Sequence, residues 1–392
     1  MTVAFFDTTL LDPSSRGFSG AVSDGRYIYF VPMANYPSQF FGQVTRYDTH
    51  GDFSDPDSWA LFDSSALNKN SRGFADGLFD GRYLYLIPYY NQRHHGQVTR
   101  YDTQGDFHNP EAWSFFDIQT RIDSGRGFVS GTFDGRYIYL APYQLDWTAY
   151  NGTMVRYDTQ QPFKDLTSWE TFVSHEQLAL LSRGFHSAAV TDDFIYFVPF
   201  VREQRDYHGL LVRYRRSGAF SDPRCWDMVD IKTFHPRGCG FIGACWDGRY
   251  LYFAPYFDGA GRYGQVACYD TQSPLTDPNS WQFFDTTIVH DSSRGFFGTL
   301  VHGDFVYFVP HCRGEGVYHG QLTRYDRRLP FTEKAAWSVC DTAAYHPTSK
   351  GYIGGTVVGD YLYLAPYEIA PGMQTGLVAR IDLRDQTLWP SS

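Results

Sequence analysis

An arginine or lysine returns at one place in a recurring phrase: SRGF at 15–18, 71–74, 182–185 and 293–296, GRGF at 125–128, and SKGY at 349–352. The residues are Arg16, Arg72, Arg126, Arg183, Arg294 and Lys350. In the variant copy HPRGCGF, Cys239 takes that place and Arg237 stands two residues before it. A guanidinium fork matches carboxylate and phosphate geometry, so side chains of this kind brought together would bind an anion. A second reading has them serve the repeat itself, by pairing with Asp7, Asp63, Asp117, Asp230, Asp285 and Asp341, which recur at the ends of another segment. The sequence alone leaves both open.

Chemistry specific to this chain is expected where the copies disagree. The residue after a recurring proline is Met33, Tyr89, Tyr143, Phe200, Tyr256, His311 or Tyr367. Before a recurring loop glycine stand Phe41, His95, Asn151, His208, Tyr263, His319 and Thr375. Three residues past the cationic position come Ser19, Ala75, Val129, His186, Ile242, Phe297 and Ile353, and one further on Asp76 replaces the Gly or Ser of the other copies. An imidazole can move a proton or hold a metal. His186 and His311 are unique in their columns and are the candidate catalytic residues. His95, His208 and His319 recur before glycine, so each is either a substrate contact or a loop-packing residue. No H-x-x-x-H or H-x-H spacing accompanies them, so support for a divalent metal is weak and no other cofactor is indicated. The six cysteines contain no C-x-x-C and read as free thiols; Cys239 is either a nucleophile or a buried thiol. Phosphate-loop, dinucleotide and G-x-S-x-G motifs are absent.

These columns need elements to hold them. The phrase DGRYIYFVP (24–32) returns as DGRYLYLIP (80–88), DGRYIYLAP (134–142) and DGRYLYFAP (247–255), with variants at 192–199, 303–310 and 359–366. Each copy runs on through a glycine-containing loop to a V-x-R-Y-D-like strand and then to a tryptophan: Trp59, Trp113, Trp169, Trp226, Trp281, Trp337 or Trp389. The period is about 56 residues. Asp-Gly between alternating aromatic runs is a hairpin signal, and each copy reads as four strands. Seven such units, starting near 15, 71, 125, 182, 237, 293 and 349, resemble the seven-bladed β-propeller superfamily, kelch and WD40 proteins among them. Neither the kelch nor the WD40 signature is present, so the resemblance is one of architecture. The expected fold is all-β, one domain over 1–392, with four-stranded antiparallel blades. The W-x-x-F-D pattern fails after Trp389, while Ala4–Thr9 matches Gln282–Thr287. Residues 3–9 are therefore expected to complete the seventh blade, which leaves no free sheet edge.

In such a ring the cationic phrase and the post-proline loops would gather at one mouth of the central channel. The favoured reading is an enzyme acting there on a small carboxylate-type anion, as a lyase, isomerase or cyclase. Arg16, Arg72, Arg126, Arg183, Arg237, Arg294 and Lys350 would bind the charge, with Asp76, Tyr89, Tyr143, Tyr256, Tyr367, His95, His208 and His319 contacting substrate. The alternatives are a multivalent carbohydrate-binding lectin and a protein-interaction scaffold. Composition narrows the class. Aromatic residues at 18 % against charged residues at 19 % exclude disorder. A net charge of −10 argues against nucleic acid or an anionic membrane as partner. No apolar run suits a membrane span and the first residues carry no secretory pattern, so a cytoplasmic monomer is expected.

Overall fold

Each DGR turn is closed by its own aspartate. In the computed structural model, which describes residues 2–35 and 39–390, Asp24 Oδ1 accepts from the backbone amides of Arg26 (2.9 Å) and Tyr27 (2.7 Å). Its Oδ2 accepts from the Tyr29 hydroxyl at 2.7 Å. Between them Gly25 adopts φ +100°, a conformation that favours glycine. Arg26 then forks onto Asp48 of the V-x-R-Y-D strand (3.2 and 2.7 Å). The same bridge forms in Arg82–Asp102, Arg136–Asp158 and Arg249–Asp270. The motif is therefore a strand-to-strand clamp within one unit.

These hairpins begin seven four-stranded antiparallel sheets. Blade 1 consists of Phe18–Ser23, Tyr27–Pro32, Gln43–Asp48 and Trp59–Asp63. The inner strands of blades 2 to 7 start at Phe74, Phe128, Phe185, Phe241, Phe296 and Tyr352. Each inner strand neighbours the next, and that of blade 7 neighbours that of blade 1, so the ring is closed around a central channel. The chain is a seven-bladed β-propeller. Val3–Asp7 pairs antiparallel with Leu377–Asp382, from Val3↔Ile381 to Asp7↔Leu377, and supplies the outer strand of blade 7.

Blades are held to one another by stacked rings. Trp59 of blade 1 lies on Phe6 of the N-terminal strand at 4.4 Å and 11°. The same stack joins Trp113 to Phe62, Trp169 to Phe116, Trp226 to Phe172 and Trp337 to Phe284. Such a pair contributes on the order of 1 kcal/mol beyond the area it buries. Between the same blades, Arg46 is sandwiched by Tyr27 (4.1 Å) and Phe107 (4.2 Å). The marker indoles of Trp59, Trp113, Trp169, Trp226, Trp281 and Trp337 each donate to a backbone carbonyl six residues earlier, as Trp59 does to Phe53. Much of the aromatic content and many of the arginines are thus spent on the ring.

One expectation is corrected here. The aspartates that end the outer strands do not pair with the cationic phrase. Asp7, Asp63, Asp117, Asp230, Asp285 and Asp341 each accept the amide two residues on, capping a short 3₁₀ turn. A carboxylate one residue before such a turn satisfies an orphan amide locally, and that bond forms without any long-range partner.

Candidate functional site: the axial vestibule

The inner strands carry an irregularity at one level in every blade. In blade 2, Phe74 pairs with Pro88 and Asp76 with Ile87, so Ala75 is left out of the ladder. Val129 and His186 are skipped in the same way. In blades 1, 5, 6 and 7 the pairing jumps from Phe18 to Ala21 and its equivalents. A bulge re-aims the residue that leaves the ladder. The glycine just before it fixes the backbone there: Gly127 has φ +67°, and a Cβ on it would lie 1.6 Å from the carbonyl oxygen of Gln144.

The bulge column and the post-proline column together line one cavity of about 360 Å³ at the channel mouth. All fourteen residues of the two columns contribute, and Tyr318 and Glu368 complete the wall. Rings of successive blades stand at near-even spacing: Tyr89–Tyr143 6.3 Å, Tyr143–Phe200 5.9 Å, Phe200–Tyr256 6.1 Å, Tyr256–His311 5.9 Å and His311–Tyr367 6.3 Å. His186 meets Phe297 across the intervening blade at 5.3 Å. Those two rings crowd the floor beneath blades 4 to 6, whereas Ser19 and Ala75 leave it open beneath blades 1 and 2.

His186 and His311 both reach the vestibule. His311 is 5 % exposed, and its Nδ1 lies 3.1 Å from the carbonyl oxygen of Tyr352. A carbonyl only accepts, so Nδ1 carries the proton and Nε2 keeps the lone pair. Burial, with Arg262 and His319 adding to it, pushes the His311 pKa down to about 3. His186, boxed by Tyr143, Phe200 and Phe297, is pushed down to about 3 by burial as well. Both are neutral at pH 7. The tyrosine hydroxyls are neutral too: burial lifts Tyr89, Tyr143 and Tyr256 well above the usual phenol range and Tyr367 to about 12. Tyr89 donates to Gln144 at 3.0 Å, and Tyr256 contacts the Cys312 sulfur at 3.6 Å.

Below the floor a smaller chamber of about 160 Å³ continues down the axis. Its waist is the column Gly20, Asp76, Ser130, Ser187, Gly243, Gly298 and Gly354. Neighbouring inner strands come so close here that a Cβ on Gly243 would lie 3.0 Å from Gly298 Cα. Asp76 is the one acid in that ring. Its Oδ2 accepts from Ser130 Oγ at 2.7 Å and its Oδ1 from the Gly77 amide at 2.8 Å. Burial raises its pKa to about 6, against the opposing pull of those two bonds.

The cationic phrase lies elsewhere. None of Arg16, Arg72, Arg126, Arg183, Arg237, Arg294 or Lys350 lines the vestibule or the chamber. Arg126 donates to the Leu145 and Asp123 carbonyls, Arg183 to Glu203 (2.6 Å) and Leu180, and Arg237 to Asp258 (2.8 Å). Arg294 lies 3.7 Å from Asp291. Arg126, Arg183 and Arg237 thus tie together loops outside the mouth. His95, His208 and His319 are buried beside the same phrase. His319 Nε2 meets the Arg294 carbonyl (2.8 Å) while its Nδ1 accepts from the Gln321 amide (3.3 Å). His208 bonds Gly184 and Leu210 likewise, and His95 Nδ1 accepts from Gln97. In blade 3, Asn151 makes the equivalent bonds to Arg126 and Thr153. Cys239 is buried with its thiol pushed up to about 11, which leaves no thiolate for nucleophilic chemistry at pH 7.

Tyr318 and Glu368 were not singled out by the sequence columns. The Tyr318 hydroxyl donates to Glu368 Oε2, whose other oxygen accepts from the Gly372 amide. Glu368 directly follows the post-proline Tyr367, which is the one available signal. A second feature lies on the rim between blades 2 and 3, where Trp147 is 63 % exposed and packs on Tyr90 (4.9 Å) and His94 (5.1 Å). Arg93 and Arg126 line the same depression. Among the described residues no group of three or more His, Cys, Asp or Glu is arranged to hold a metal ion, and no helix is long and apolar enough to cross a membrane.

No protein-family model matches the chain, and no curated protein matches it. Among solved structures it is similar to PorZ, a surface component of the type-IX secretion system of Porphyromonas gingivalis, with a TM-score of 0.47 and 13 % identity over 89 % of this chain. The match spans 35 % of the length of PorZ. It is also similar to the WD40 domain of Neurospora crassa Pan2, with a TM-score of 0.57 and 9 % identity over 96 % of this chain and 94 % of that one. At such identities the likeness is one of fold: this chain shares the propeller ring, and the residues at its mouth are its own.

Proposed function

We propose that this protein binds one small molecule per chain in the axial vestibule. The observation that carries this reading is the coincidence of two things. Two columns that change from blade to blade line the cavity of about 360 Å³, a size that suits a small organic ligand. The repeated positions are absorbed by clamps, caps and stacks.

Binding is favoured over the proton-transfer enzyme that the isolated histidines suggest. A general base works best with a pKa near the operating pH, and both His186 and His311 lie well below it. They suit hydrogen bonding to a neutral group. An anionic substrate is also disfavoured, because none of the cationic phrase lines the vestibule, and Arg126, Arg183 and Arg237 are engaged outside the mouth. A carbohydrate reading finds one specific support in the exposed Trp147 platform beside Arg126, which belongs to a single blade interface and is not repeated in sevenfold fashion.

Filling the floor tests the axial reading. Ala75→Phe places a ring where the vestibule opens toward the chamber. Ligand-observed NMR with a mixture of small aromatic and heterocyclic fragments is expected to give saturable, mutually competitive binding that Ala75→Phe abolishes and Trp147→Ala leaves intact. Several equivalent sites per chain, or loss of binding only in Trp147→Ala, would overturn it.

A further inference from the structure

We propose that the axial ligand is an organic cation: an amine or ammonium group on a flat apolar body, with the body against the vestibule rings and the charged nitrogen directed at Asp76. This rests on the axial-site reading above. The argument is one of charge and of what answers it. Among the described residues two carboxylates line the space from vestibule to chamber, Glu368 and Asp76, and no lysine or arginine does. Each acid is met by neutral donors alone: Asp76 by a serine hydroxyl and an amide, Glu368 by a phenol and an amide. A carboxylate in a confined space without a counter-charge is costly, and a cation supplied from outside relieves that cost.

The walls point the same way. The faces of Tyr and Phe rings attract positive charge and repel negative charge. One ring of the vestibule already shows this preference, since the guanidinium of Arg262 lies 3.8 Å from the centre of Tyr256. Arg262 does not line the cavity, and its guanidinium is placed over the rings of Tyr256 and Phe257. The remaining ionisable groups facing the space, His186 and His311, are neutral at pH 7 and offer no counter-ion. The bulge column is small at Ser19 and at Ala75, the residue before Asp76, so an amine extending below a ring in the vestibule enters the chamber that Asp76 lines, while Glu368 lines the vestibule itself. An inorganic cation fits less well, because one carboxylate and two serine hydroxyls at the waist supply too few ligands.

Three probes of one shape separate the possibilities: 2-phenylethylamine, 2-phenylethanol and phenylacetate, titrated into the full chain by NMR. The amine is expected to bind about tenfold or more tightly than the alcohol, with the carboxylate weakest. Asp76→Asn should erase the amine's advantage while leaving the alcohol unchanged, and Glu368→Gln should reduce it. Equal binding of all three, lost in Ala75→Phe, overturns the cation and keeps the axial site. Tightest binding by phenylacetate, or an amine preference that survives Asp76→Asn, also overturns it. Binding of the amine that Ala75→Phe does not touch removes both readings, and no binding of the amine at millimolar concentration removes the cation.

Discussion

Asp76 carries its charge in a buried place, at a cost to the fold. Its pKa is raised to about 6 by burial, so the folded protein holds that proton more tightly than the unfolded chain does. For an acid shifted in this direction the contribution to stability is unfavourable above the folded pKa and is relieved as pH falls toward the ordinary aspartate value. Asp76→Asn keeps the shape and can still bond Ser130 and the Gly77 amide. It is therefore expected to stabilise the protein at pH 7 by about 1–3 kcal/mol, and the gain should shrink to nothing near pH 4. Urea unfolding of both proteins across that range measures the difference. A variant less stable than the wild type at pH 7 would show that the carboxylate makes a favourable contact at the waist. The sequence marked Asp76 as odd in its column, but not why: its burial depends on the flanking inner strands, where a Cβ on Gly20 would lie 3.1 Å from Asp76 Oδ1 and Ser130 donates to Oδ2, which no single repeat displays.

At the scale of elements, the loop histidines behave as parts of the repeat. His319 and His208 each join a carbonyl of the cationic phrase to an amide two residues ahead, and Asn151 does both jobs in blade 3. Burial lowers the pKa of His319 to about 4 and of His208 to about 3. A base shifted downward contributes stability that is whole above its unfolded value near 6.5 and is lost as pH falls below it. His319→Asn is thus expected to fold with stability within about 1 kcal/mol of the wild type at pH 7. It should also lose part of the decline between pH 6.5 and pH 4, read from thermal midpoints along a pH series. An unchanged decline would mean that other groups drive acid unfolding. The hairpins, the marker tryptophans and the exchange of the N-terminal strand were legible because each repeats or matches locally. Where the recurring arginines point was not legible, because the length and flexibility of Arg let Arg126, Arg183 and Arg237 turn to loop carbonyls and carboxylates outside the mouth. The bulge was invisible for another reason: it is a mismatch between two strands, and neither strand shows it alone.

For the whole molecule the question is what keeps the ring shut. Two devices are available: the inner strands of blades 7 and 1 are neighbours, and Val3–Asp7 ties the outer edge of blade 7 while Phe6 stacks on Trp59 of blade 1. The inner contact is chain-continuous within each blade. The outer one joins segments more than 360 residues apart, as the Asp7↔Leu377 pair shows. Phe62 on Trp113 is the matching stack inside the ring, on a strand tethered at both ends. Replacing the buried Phe6 by Ala is expected to cost about 3–5 kcal/mol, and the partly buried Phe62 less. The consequences should differ in place. In Phe6→Ala the strand is tethered at one end only, so amides of Val3–Asp7 and of their partner Leu377–Asp382 should exchange with solvent about tenfold faster or more, at unchanged protection elsewhere. In Phe62→Ala the loss should spread over the molecule without favouring residues 59–63. A ligand spanning the vestibule contacts every blade, so its binding should restore protection to the N-terminal strand even though that strand is remote from the axis. If Phe6→Ala leaves exchange at the seam like that of any other blade interface, the inner ring alone closes the propeller and the N-terminal strand only covers its edge.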